Sequence, residues 1–296
     1  MVQHQESCTA LSWQRHRSLN QPSSETDLTQ YINQIQNLSA DEQRELLSLV
    51  DQLSIARTKE RAHVDFLAFV RHVWPAFIAG KHHKIMAEAF ERVEKGELKR
   101  LIINMPPRHT KSEFASYLFP AWFLGKNPGK KVIQTAHTAE LAVGFGRKVR
   151  NLFDNKDFTE VFSGINLSAD SKAAGRWSTS EGGDYFAIGV GGAVTGKGAD
   201  ILIIDDPHSE QDAAQGAYNP EVYDRVYEWY TSGPRQRLQP GGAIIVVMTR
   251  WSTRDLTGQI IKSSAQKAGS DEWEVIELPA IMPSGKPLWP EFWPLP

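Results

Sequence analysis

Four uninterrupted apolar runs constrain this chain more than any other feature: Leu101–Ile103, Val132-Ile133, Ile201–Ile204 and Ala243–Met248. A strand with one wet face alternates apolar and polar residues. A run without alternation is buried on both faces, as in a parallel sheet covered by helices. Amphipathic helical patterns separate the runs. They read as Ala62–Ala79 with a proline stop at Pro75, Ile85–Val93, Ser112–Phe123 bent or ended near Pro120, and Thr138–Phe153. Two more follow, one opened by Asn219-Pro220 with Val222, Val226, Trp229 and Tyr230 inward, and one at Thr253–Lys262. The Gly- and Ser-rich residues 163–200 predict short antiparallel strands with glycine bends, and Trp273–Leu278 a last strand. The expected fold is α/β in three layers, a mainly parallel central sheet flanked by helices.

Composition narrows the setting. The 296 residues are 41% hydrophobic and 23% charged, with a formal net charge of −2, so bulk charge gives no sign of a nucleic-acid binder. A single cysteine, Cys8, forbids an internal disulfide, and no apolar run has the length of a membrane helix. Without a secretory pattern at the N-terminus, the expectation is a soluble cytoplasmic protein. Residues 1–61 read as a polar arm with a short helix around Leu28–Ile35. A capping box at Ser39–Glu42 then opens a helix whose Leu46, Leu49, Val50 and Leu53 face the core or a partner. Residues 62–278 form the main domain and 279–296 a linker.

Two strand ends carry the chemistry. Leu101–Ile103 runs into Met105-Pro106-Pro107-Arg108-His109-Thr110-Lys111-Ser112: a strand, a stiff loop and a helix start. Such a loop points backbone N–H groups of Pro107–Ser112 toward phosphate, proline excepted. Lys111 reaches the β- and γ-phosphates, Ser112 ligates magnesium, and Arg108 adds a second cation. Against the pattern G-x-x-x-x-G-K-[ST], Met105 and Thr110 stand where glycines are usual. A positive φ at Thr110 would cost roughly 1–2 kcal/mol. The other strand end is Asp205-Asp206: one carboxylate for magnesium, its neighbour to orient or deprotonate water. Met248-Thr249-Arg250 forms a third end, with Thr249 as γ-phosphate sensor or helix cap. His82 and His83 read as packing near a nucleotide base rather than as metal ligands, and Arg147, Lys148 and Arg150 as a solvated face or a DNA contact.

Taken together, PPRHTKSE at Pro106–Glu113, GVGGAVTGKGADILIIDDP at Gly189–Pro207, MTRWSTRDLTGQI at Met248–Ile260 and LWPEFWPL at Leu288–Leu295 resemble the ATPase domain of the large terminase subunit of tailed bacteriophages. The resemblance spans roughly residues 62–296. In that group the loop usually reads PPRHGKS, and many members carry Asp-Glu at the second motif. The resemblance implies a P-loop NTPase of the additional-strand, Rossmann-like type, using ATP and Mg2+. Lys111 would lie on phosphates, Ser112 and Asp205 on the metal, with Asp206 catalytic and Thr249 coupling hydrolysis to movement. It implies double-stranded viral DNA, a portal protein and a small terminase subunit as partners, and a pentameric ring on the portal in the host cytoplasm. A stimulatory arginine would be Arg108 in the chain, or Arg235, Arg237, Arg250 or Arg254 in trans; the sequence does not choose. Full-length members continue into a nuclease domain, toward which residues 279–296 would lead, and no nuclease activity is expected of these residues. The other readings are a helicase-like or DNA-remodelling ATPase, and a nucleotide-binding scaffold with little turnover.

Overall fold

The structure, a computed structural model, describes residues 35, 37–266 and 269–294, except the side chains of residues 171 and 172. The short helix expected at Leu28–Ile35 lies outside the described residues apart from Ile35. The chain divides between Ile55 and Ala56 into two compact units.

Helix α1 is Ala40–Val64, opened by the expected box: Ser39 N–H and Oγ–H both donate to Glu42 Oε2, at 2.8 and 2.7 Å. In its first half, Leu47, Leu49, Val50 and Leu53 are exposed. Where one helix was expected over Ala62–Ala79, there are two. Asp65 interrupts them and caps α2, Phe66–Val73, by accepting from the Ala68 N–H at 2.7 Å, while Phe66 N–H donates to Glu91 Oε1 at 2.8 Å. Two carboxylates thus satisfy N–H groups that a continuous helix would have bonded internally. Helix α3, Lys81–Glu94, begins earlier than its apolar pattern and takes in His82 and His83, both buried.

Strand β1 is Arg100–Asn104. A π-helical stretch, Glu113–Leu118, follows its loop and runs into α4, Phe119–Lys126. The expected bend at Pro120 is replaced by this widening just upstream. Pro120 has no N–H to offer the Ser116 carbonyl, and Phe119 N–H bonds Phe114 O. Then come β2, Lys131–Ala136, and α5, Ala139–Phe153, capped by Thr138. A short α6, Lys156–Val161, leads to β3, Leu167–Ala173, β4, Arg176–Thr179, and β5, Asp184–Gly189. β3 and β4 are antiparallel as expected, but β5 joins β2 in parallel. Gly191, at φ 81°, turns the backbone just beyond β5, one of the glycine bends expected in residues 163–200. The remainder is β6, Ala199–Asp205; α7, Glu210–Gly216; α8, Glu221–Ser232; a 3-10 turn, Pro234–Arg237; β7, Leu238–Met248; α9, Leu256–Gln266; and β8, Glu274–Glu277.

The sheet order is β3-β4-β5-β2-β6-β7-β1-β8, and β5 through β8 are mutually parallel neighbours. Alternate residues of each apolar run enter opposite cores. Leu101, Ile103, Ile201, Ile203, Ile245 and Val247 pack with Phe66, Phe90, Phe119 and Trp122. Ile102, Leu202, Ile204, Ile244 and Val246 pack with Val226, Tyr230, Leu256 and Ile260. The fold is therefore α/β, an eight-stranded, mostly parallel sheet with helices on both faces, compatible with a Rossmann-like arrangement. Phe66 centres one layer, with ring centroids of Phe90, Phe114, Phe119 and Trp122 at 5.4–5.9 Å. In residues 279–294, Leu288 and Trp289 are buried and Ile281 bridges Pro287, so this stretch is partly packed.

Candidate functional site

Because β1, β6 and β7 are parallel neighbours, their carboxyl ends lie on one rim, with β7 between the other two. Ligands of open parallel sheets bind outside such ends. The loop leaving β1 is tightly wound. Arg108 and Thr110 both have left-handed backbones, at φ 60° and 65°, without being glycine. Arg108 is exposed, its carbonyl within 3.5 Å of Trp293 Nε1. His109 is buried, with Nδ1 2.9 Å from the Pro107 carbonyl.

Lys111 is 5% exposed and its Nζ lies 2.8 Å from Asp206 Oδ2. Ser112 Oγ donates to Asp205 Oδ1 at 2.9 Å, and Ser116 Oγ donates to Asp205 Oδ2 at 2.7 Å. Gln134 Nε2, from the middle of β2, donates to Ser116 Oγ at 3.0 Å. Burial first, and then the charge of Asp206, raise the Asp205 carboxyl well above the usual carboxylate range, against the pull of Ser116, Lys111 and Ser112. Asp206 also has a left-handed backbone, φ 38°. Its N–H donates to Val247 O at 2.9 Å, and its Oδ1 accepts from Thr249 N–H at 2.8 Å. Thr249 Oγ1 lies 3.4 Å from Met105 O, and Met105 N–H donates to Met248 O at 3.2 Å. The ammonium, two carboxylates and three hydroxyls thus converge from three strand ends. A cavity of about 710 Å³ opens beside them, lined in part by Pro107, His137, Asp206, His208 and Thr249.

The arginines separate. Arg250 follows β7 at the site rim, where its Nε donates to Asp255 Oδ2 at 2.9 Å. Arg254 pairs with Asp224 at 2.7 Å. Arg235 and Arg237 precede β7 and therefore lie at the opposite rim, Arg235 pairing with Asp271 at 2.9 Å. Lys148 pairs with Glu113 at 2.7 Å. His82 lies beside the loop, with ring centroids 6.1 Å from His109 and 5.4 Å from Trp289.

Several participants escaped the sequence reading. Ser116 follows Ser112 at helical spacing, and Gln134 is a lone amide in an apolar strand; both were visible signals. His208, buried two residues after Asp206, accepts from Leu256 N–H through Nε2 at 2.9 Å. Asn104, ending β1, takes Thr257 Oγ1 at 3.1 Å and donates to Glu277 Oε1 at 2.7 Å. His83 bonds the side chain of Thr110, and no sequence spacing links two residues so far apart.

A divalent cation can be tested against this donor set. Among the described residues no group of three or more His, Cys, Asp or Glu forms a cage. A hydroxyl and a carboxylate 2.9 Å apart suit a hard cation that keeps water and phosphate in its shell. Among the described residues no helix is long and apolar enough to cross a membrane. No family model matches the chain, and no curated protein sequence matches it.

Proposed function

We propose that this chain is a P-loop ATPase of the additional-strand type, the motor part of a large terminase subunit that drives double-stranded viral DNA into a procapsid. One observation carries the reading: Lys111, Ser112, Asp205 and Asp206 meet at one rim, with β7 and Thr249 inserted between their strands. The substrate is ATP, hydrolysed by water to ADP and phosphate.

The backbone N–H groups of residues 108–112 face the triphosphate, and Lys111 exchanges the carboxylate of Asp206 for phosphate oxygens. Released from the ammonium, Asp206 orients the attacking water and accepts its proton. Ser112 and Asp205 hold Mg2+, which when bound neutralises developing charge on the phosphates. Thr249, bonded to Asp206 through its N–H, reports the state of that carboxylate to β7. Arg108 is the in-chain candidate for a stimulatory guanidinium, because its loop borders Lys111. Arg250 is tied to Asp255, and Arg254, Arg235 and Arg237 serve only across a subunit boundary. The partners of this reading are viral DNA, a portal protein, a small terminase subunit and four further copies in a ring.

Purified chain with Mg2+ is expected to release phosphate from ATP, and Lys111→Ala to abolish release. Unchanged turnover in that variant removes the assignment. Thr110 and Asp206, which stand where the resembled group usually has Gly and Glu, favour one second reading, a nucleotide-binding scaffold with little turnover. Tight ATP binding without phosphate release from an assembled ring would select it.

A further inference from the structure

Thr110 holds a backbone conformation that β-branched residues avoid, so something outside the loop must hold it there. The neighbouring side chain is His83, fully buried on α3 and walled by Phe77, Phe114 and Trp289 at ring-centroid distances of 4.7, 4.9 and 4.9 Å. Its tautomer follows from its partners. Gly80 N–H donates to Nδ1 at 2.8 Å, so the ring proton sits on Nε2, 2.6 Å from Thr110 Oγ1. The Thr110 hydroxyl then spends its own proton on His109 O at 2.6 Å. Burial, then the imidazoles of His82 and His109, push His83 down to about 3, so the ring is neutral and the donor direction fixed at ordinary pH.

The His109 carbonyl and the Thr110 N–H belong to one rigid peptide plane and point opposite ways. Fixing the carbonyl therefore fixes the N–H. We propose that His83 is a positioning residue for the Lys111 loop, using the Thr110 hydroxyl as a handle to hold a left-handed turn that glycine would adopt unaided. The consequence for ligand affinity rests on the nucleotide-binding reading; the consequence for loop order does not.

Five variants test it: His83→Phe, His83→Gln, Thr110→Val, Thr110→Gly, and His83→Phe combined with Thr110→Gly. Two quantities are measured: amide hydrogen exchange over residues 108–112 without nucleotide, and equilibrium binding of a fluorescent ATP analogue with Mg2+. His83→Phe and Thr110→Val are expected to speed exchange and to weaken the analogue by about tenfold. His83→Gln, which keeps a donor, restores most of both. On the Thr110→Gly background, His83→Phe adds less than about a twofold change. If His83→Phe does not fold, Thr110→Val against Thr110→Ser carries the same comparison, because neither alters the aromatic wall. Equal losses with and without Thr110→Gly, or unchanged exchange in folded His83→Phe and Thr110→Val, overturn the proposal. Faster exchange in a protein whose parent binds no ATP analogue upholds the positioning role and removes the nucleotide reading instead.

Discussion

Asp205 is 1% exposed and its two oxygens are met only by hydroxyls, while the nearest ammonium, Lys111, is paired with Asp206. A buried carboxylate so placed resists ionisation, and the folded protein carries that penalty. Asp205→Asn is therefore expected to raise the Tm at pH 8, measured without nucleotide, and to reduce ATP turnover by more than about a hundredfold. A lower Tm in that variant would show that the charge is stabilising. At this scale the sequence was most informative where chemistry and backbone agree. Asp205 and Asp206 end one apolar run, and Lys111 and Ser112 end the loop that leaves another, so their rim followed from the strands. The left-handed φ of Thr110 followed from its place in the loop, but those of Arg108 and Asp206 did not. Side-chain partners such as His83 or Asn104 are products of packing between distant segments, and a linear pattern holds no trace of them.

Element boundaries were set by caps more than by periodicity. The helix expected at Thr253–Lys262 is Leu256–Gln266, because Asp255 spends its carboxylate on the turn before it. Its Oδ2 accepts from the N–H groups of Trp251 and Ser252, at 3.0 and 3.1 Å, and from Arg250 Nε, while Oδ1 accepts from Gly258 N–H at 2.9 Å. Asp255 is fully buried, so Asp255→Ala strands four donors at once. The expected loss is about 2–4 kcal/mol, read from urea unfolding. A loss within about 0.5 kcal/mol would show that water replaces the carboxylate. Asp65 likewise divided a helix that looked continuous. β7 extends five residues before the expected Ala243, to Leu238, through Pro240-Gly241-Gly242 and a register shift opposite Ala199–Ile201. Such irregular pairing is fixed by the partner strand, which local propensity does not see.

Across the whole molecule, the α/β class and the parallel sheet followed from the four apolar runs, since burial on both faces leaves few other solutions. Strand order did not, because nothing in the runs says that β7 stands between β1 and β6. The molecule's acid response has a definite sign. Burial pushes His82 down to about 4 and His83 down to about 3, against an unfolded value of roughly 6.5. Below about 6.5 the unfolded chain takes up protons that the folded chain refuses, so stability falls as pH drops toward those folded values. Asp205 works in the opposite sense: its raised value stabilises at low pH and that contribution is lost as pH rises through it. Burial also lowers His208, which adds to the histidines, and raises Glu91, which adds to Asp205; three histidines against two carboxylates leave a net fall on acidification. Tm should decline between pH 7 and pH 4.5, and His82→Phe should shrink the decline; an identical slope in that variant would count against a neutral buried His82.

The position of β7 has a mechanical corollary. Met248 C=O and Thr249 N–H are the two ends of a single planar amide. Its oxygen is held by Met105, at the root of the lysine loop, and its hydrogen by Asp206, on the far strand. That amide is a balance beam with the cation's loop hung from one arm and the acid from the other. A visitor that parted Lys111 from Asp206 would load both arms of that beam, and Arg250 and Asp255 are fastened just beyond it, ahead of α9.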